Sequence, residues 1–167
     1  MQGTITRATL VASIALIQLL YPRASAWAQS PEPAAPASVA LFYDALTAAA
    51  GKDVKGLVMA ATAPDWVSCG TNEGCGARDQ VIAAIAVRHK TIPDLKWEIK
   101  EVLVSGNRVV VRGEASGTPS SDFLGVAHGG KSFKLMSIDV HTIEAGKIAR
   151  SYHVEDWMGA ARQLSGK

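Results

Sequence analysis

The spacing of apolar side chains changes at Pro93, and this change restricts the possible architectures more than any other feature of the chain. Before it, the spacing is helical. Val39, Phe42, Tyr43 and Leu46 recur three or four residues apart in segment 39–50, with Ser38 as a predicted N-cap and Gly51 as a stop. Asp53 is placed to cap a second short helix running to residue 59. A third helix opens near Asp79, carries Val81, Ile82, Ile85, Ala86 and His89 on one face, and is closed by Pro93. After Pro93 the period is two. Strands are predicted over 95–105, 108–118, 131–144 and 147–155, with Gly106-Asn107 and Ala145-Gly146 as tight turns and 119–130 as a loop rich in Gly, Ser and Pro. Asp156 caps a final short helix, 157–164, and residues 63–68, with Trp66, form a short strand leading into the cysteine-bearing loop. Helices followed by an antiparallel meander predict an α+β domain: a cone-shaped curved antiparallel sheet with the N-terminal helices packed on its concave face. The open mouth of such a cone is where a pocket is expected.

The N-terminal stretch stands outside that pattern. One basic side chain precedes an uncharged, mostly apolar run at 8–21, and Ala26-Trp27-Ala28 supplies a small-x-small site. This is the layout of a secretory signal peptide, with cleavage expected after Ala28 and an uncleaved anchor as the alternative. Residues 29–37, with three prolines, read as a linker, and 38–167 as one domain, a length able to bury a core. Loss of Arg7 and Arg23 leaves fifteen basic side chains against fifteen acidic ones, so the mature chain is neutral. Lys and Arg do not cluster with aromatic residues, which argues against a nucleic-acid partner. No second stretch is long enough to span a bilayer, so no membrane role is expected after signal removal. In an exported compartment Cys69 and Cys75 predict a disulfide, with free thiols as the alternative.

An ordered set of short segments carries a family resemblance over roughly residues 39–164. These are Ile92-Pro93-Asp94-Leu95, then Gly106-Asn107-Arg108-Val109-Val110-Val111-Arg112, Ser116-Gly117-Thr118 and Asp122-Phe123-Leu124-Gly125. They continue with Ile138-Asp139-Val140, Gly146-Lys147-Ile148, Tyr152-His153-Val154-Glu155-Asp156-Trp157 and Gln163-Leu164. The set resembles the SnoaL-like polyketide cyclases (ester cyclases) of the nuclear transport factor 2-like superfamily. The resemblance implies the cone fold, a homodimer formed through the outer sheet face, and a pocket for a small, largely apolar molecule that needs no metal or cofactor. It also implies intramolecular aldol closure by acid/base chemistry, a role that falls by position on Asp139. The family's Gly-Thr-His segment is Gly117-Thr118-Pro119 here. A non-catalytic small-molecule-binding or accessory module is therefore the alternative to a cofactor-free cyclase or isomerase.

Strand alternation selects the remaining candidates. Ser137, Asp139 and His141 share one face of their strand, and Met136, Ile138 and Val140 the other. If the polar face looks into the cone, apolar walls raise the Asp139 pKa and His141 can relay its proton. The alternative is that the polar face is solvated. Arg112 and Glu114 alternate together with Val110. With Asp139 they resemble the Arg-Asp-Asp set of limonene epoxide hydrolases, and an exposed salt bridge is the plainer reading. By the resemblance, Tyr152 stands where the family often has Trp and is a candidate ligand contact. His153, Trp66 and Tyr43 complete the set, with a satisfied structural histidine the alternative for His153 and core packing the alternative for Trp66 and Tyr43. The four histidines, His89, His128, His141 and His153, are too scattered to define a metal site, and no phosphate-binding loop or nucleophile elbow is present.

Overall fold

The computed structural model describes residues 35–166, so the expected signal peptide at 1–28 and most of the expected linker lie outside it. In chain order the elements are α1 (Ala37–Leu46), α2 (Val54–Ala61), β1 (Thr62–Cys69), β2 (Cys75–Ala77), α3 (Arg78–Thr91), β3 (Lys96–Ser105), β4 (Arg108–Gly117), β5 (Phe133–Glu144), β6 (Lys147–Glu155) and α4 (Trp157–Ser165). The strands form one sheet in the order β2-β1-β6-β5-β4-β3. The meander β3 to β6 is antiparallel as predicted, but β1 lies parallel to β6, so the sheet is mixed. Two helices, α1 and α2, precede β1, which joins the sheet beside β6 on the side away from β3.

Register shifts between Ile99 and Glu101 on β3 and between Thr142 and Ile143 on β5 mark bulges, which bend strands and deepen the concavity of the sheet. The Ala145-Gly146 turn has positive φ at both residues, 47° and 75°, the type I′ geometry suited to a two-residue hairpin. One buried cluster lies between the helices and the concave face. It includes Val39, Phe42, Trp66, Ile85, Leu95, Trp97, Val111 and Phe133.

Two boundaries differ from the periodic pattern. The first helix ends at Leu46 rather than near Ala50, because the Thr47 hydroxyl is drawn to the backbone of β3. It accepts from Trp97 N at 3.0 Å and lies 3.2 Å from Trp97 O, while Ala48 N donates to Leu95 O. This clip holds α1 over the sheet. Its N-cap is Pro36 rather than Ser38, which is buried in the first turn, so Ala37 belongs to the helix and not to a linker. Asp53 and Asp156 cap α2 and α4 as predicted, accepting from Gly56 N and Gly159 N.

Cys69 and Cys75 are joined by a disulfide. They face each other in the β1–β2 register, so the bond closes the hairpin that the sequence pattern shows only as a loop. The missed strand, β2, has three residues, too few for alternation to register.

Candidate active site

Pairing register decides which side chains face the helices. Opposed residues on neighbouring strands share a face. On β5, Asp139 lies opposite Val111 of β4 and His153 of β6. Ser137 lies opposite Gly113 and Glu155, and His141 opposite Val109 and Ser151. The inner face therefore carries two adjacent polar rows, Ser137-Asp139-His141 and Glu155-His153-Ser151, set among apolar neighbours.

Asp139 is buried and is gripped from both layers. The Tyr43 hydroxyl, brought in by α1, donates to its Oδ2 at 2.6 Å, and the Ser137 hydroxyl donates to the same oxygen at 3.2 Å. Neither hydroxyl donates to Oδ1. Burial pushes the carboxyl up from 3.8 to about 6, helped by the charge of Glu155 and opposed by both hydroxyls and by His153. Tyr43 is raised well above its ordinary value by its own burial and by Asp139, so it remains a protonated donor. Gly113 makes this packing possible. A Cβ there would lie 2.6 Å from Ser137 Oγ and 3.3 Å from the Tyr43 ring.

The carboxyl lines a cavity of about 370 Å³, within the range that accommodates small organic ligands. Phe42 and Leu46 of α1 and Val81, Ala84 and Ile85 of α3 form its apolar wall, and Ser68, Gly70, Gly74 and Gly76 of the disulfide hairpin form its rim. His153, Glu155 and Arg88 join Asp139 as its ionisable lining. His153 Nδ1 lies 3.5 Å from Glu155 Oε1, and this partner raises the imidazole pKa. Burial pushes Glu155 up, but His153, Arg88 and the Trp157 indole N–H outweigh it and hold the carboxyl below its usual range.

The other candidates fall into three groups. His141 is fully buried and lies behind the cavity lining. Its Nδ1 is 2.8 Å from Ser151 Oγ, which also accepts from the Trp66 indole at 3.0 Å. The other ring nitrogen, Nε2, is buried without a hydrogen-bond partner among the described residues. Burial holds His141 down at about 4, and no hydrogen bond links it to Asp139, so the expected proton relay is not assembled. Trp66 belongs to the same interior network rather than to the cavity lining.

Arg112 and Glu114 stand opposite Ile138 and Met136, on the outer face. There Arg112 pairs with Glu101 at 2.8 Å, and Glu114 lies near Lys100 and Lys134. An Arg112-Glu114-Asp139 set is therefore excluded, because one residue of register separates Arg112 from the inward-facing Val111. Tyr152 is also on the outer face, 37% exposed and in cation–π contact with Arg150. Tyr43 and His153 are placed at the site, whereas His89 hydrogen-bonds Leu46 O and His128 sits in the exposed loop. Alternation alone exposed the Ser137 and Glu155 positions without indicating their roles. Arg88 and Ser151 gave no sequence signal.

A buried carboxyl held by two hydroxyls therefore lies at the inner wall of a largely apolar cavity. A family profile for SnoaL-like polyketide cyclases matches residues 38–164, and the chain belongs to that family. Among solved structures, it is similar to IdmH from Streptomyces antibioticus (TM-score 0.66, 22% identity, 76% of this chain and 95% of that one). It is also similar to TsrD from Streptomyces laurentii (TM-score 0.65, 24% identity, 81% and 100%). A SnoaL-like polyketide cyclase from Agrobacterium tumefaciens gives a TM-score of 0.62 at 19% identity, covering 76% and 94%. These likenesses establish the fold. No curated protein sequence matches the chain.

Tyr43→Phe removes the closer of the two donors that stabilise the carboxylate. The Asp139 pKa is expected to rise above about 6 in this variant, measurable as an upward shift in the midpoint of its NMR titration.

Proposed function

We propose that this protein is an exported, cofactor-independent acid/base enzyme that abstracts a proton next to a carbonyl of a small organic substrate, as in aldol cyclisation or isomerisation. The observation that carries the reading is Asp139, a carboxyl poised near pH 6 on the wall of an apolar cavity, with Oδ2 occupied by Tyr43 and Ser137 and Oδ1 left without a hydroxyl donor. Above that pH the carboxylate is the base. Its reduced solvation makes it more basic than an exposed aspartate, and the apolar wall positions the carbon acid. As the substrate proton moves to Oδ1, the charge on Asp139 is neutralised and negative charge develops on the carbonyl oxygen. His153, biased towards its protonated form by Glu155, lines the same cavity and is the donor for that oxygen. In isomerisation Asp139 returns the proton to a different carbon of the conjugated enolate. In aldol cyclisation the enolate carbon bonds to a second carbonyl carbon of the same molecule, the π electrons of that carbonyl pass to its oxygen, and that oxygen takes the proton from Asp139.

The test uses 2-tetralone in deuterated buffer, with exchange of its α-protons followed by NMR. Protein-dependent exchange that rises through about pH 6 and then levels is expected. Exchange no faster than in buffer alone would remove the enzyme reading and leave a binding module.

Export is supported by the signal-like pattern before residue 29 and by the Cys69–Cys75 disulfide. It predicts a mature chain starting at Gln29 in the exported fraction. A homodimer through the outer sheet face is supported by the exposed Met136, Ile138 and Val154. Native mass spectrometry tests it.

A further inference from the structure

One face of α3 turns Gln80, Ala84 and Arg88, spaced four residues apart, together with Val81 and Ile85, into the cavity. The face is apolar through its middle and ends in a guanidinium. Among the described residues Arg88 forms no ion pair and no side-chain hydrogen bond. Its guanidinium carbon lies 5.0 Å from the centre of the Trp157 ring, a cation–π contact that uses none of its N–H donors. Glu155 is within electrostatic reach but is already matched by His153 and by the indole N–H of Trp157. The cavity thus contains a permanently charged fork donor with no acceptor among the described residues, next to a hydrocarbon wall.

The geometry points to an amphipathic carboxylate as the ligand class: an apolar body against Phe42, Leu46, Val81 and Ile85, and a carboxylate held by Arg88. The inference rests on the reading of the cavity as the ligand site, but not on proton abstraction by Asp139. Arg88 would select and orient the substrate, setting the distance between its anionic end and the carbon presented to the base.

The experiment compares 2-naphthoate with 2-naphthamide, its neutral counterpart of nearly equal shape, by isothermal titration calorimetry at low ionic strength and pH 7.5. The native protein is expected to bind naphthoate about tenfold more tightly than naphthamide. Arg88→Gln should abolish that preference, weakening naphthoate about tenfold more than naphthamide, and Arg88→Lys should retain part of it. Asp139→Asn should keep the preference, which separates this inference from the catalytic one. Equal affinities in the native protein, no naphthoate binding, survival of the preference in Arg88→Gln, or an equal loss of both ligands in that variant would each overturn the assignment.

Discussion

Asp139→Asn is expected to abolish α-proton exchange while leaving the fold intact. A positioned general base typically contributes about 10²- to 10⁴-fold, so the residual rate should approach that of buffer. The amide has nearly the same shape and can still accept from Tyr43, so the carboxyl's basicity is lost with little change in packing. A second signature distinguishes this variant from a merely damaged protein. The folded-state pKa of Asp139 is raised from 3.8 to about 6, so the folded chain holds the proton more tightly than the unfolded chain. The resulting stabilisation is complete below about pH 4 and is lost as pH climbs through about 6. The component belonging to this group is on the order of 3 kcal/mol. In Asp139→Asn that component is absent, so unfolding free energies measured in urea from pH 4 to 8 should show a shallower decline than in the parent. A variant that unfolds more easily at every pH would instead mark Asp139 as a structural residue. The parent's cost above pH 6 is the expected consequence of ionising a carboxyl that burial leaves poorly solvated and without a cationic partner in contact.

The largest stability effect is expected at Trp66, far more than at any exposed position. Its side chain is 1% exposed, packs edge-on against Phe42 with ring centroids 5.4 Å apart, and donates to Ser151. Trp66→Ala should cost about 3–5 kcal/mol, the sum of lost burial and the cavity left behind. Ser151 would also lose a donor in a region closed to water, and Ser151 in turn holds His141. Chemical denaturation measures the loss, with Val87→Ala as a control. Val87 is 63% exposed, and its truncation should change stability by no more than about 0.5 kcal/mol. An equally small change for Trp66→Ala would contradict the proposed core.

The same residues show how far the sequence pattern reaches. Alternation separates Asp139 from Ile138, and the inner face is the polar one, as the family resemblance implies. Alternation also puts Arg112 and Glu114 on one face, as observed. It cannot supply the register between strands, which makes Val111 rather than Arg112 the partner of Asp139. The hydrogen bond from Tyr43 spans 96 residues and depends on how α1 settles against the sheet, information that periodicity does not contain. Thr47 shortens α1 through a tertiary bond to β3 that overrides local helical spacing. His141 illustrates the opposite limit. Its position on the inner face was legible, but two residues along a strand carried it past the cavity into a neutral network with Ser151 and Trp66.

The central claim is that Asp139 is a carboxyl destabilised by burial yet able to ionise near neutrality. Selective ¹³C labelling of aspartate, with the Asp139 side-chain carboxyl assigned by comparison with Asp139→Asn, follows that group directly through a pH titration. The account predicts a single midpoint at about 6. A midpoint near 4, the range of an exposed aspartate, would contradict it.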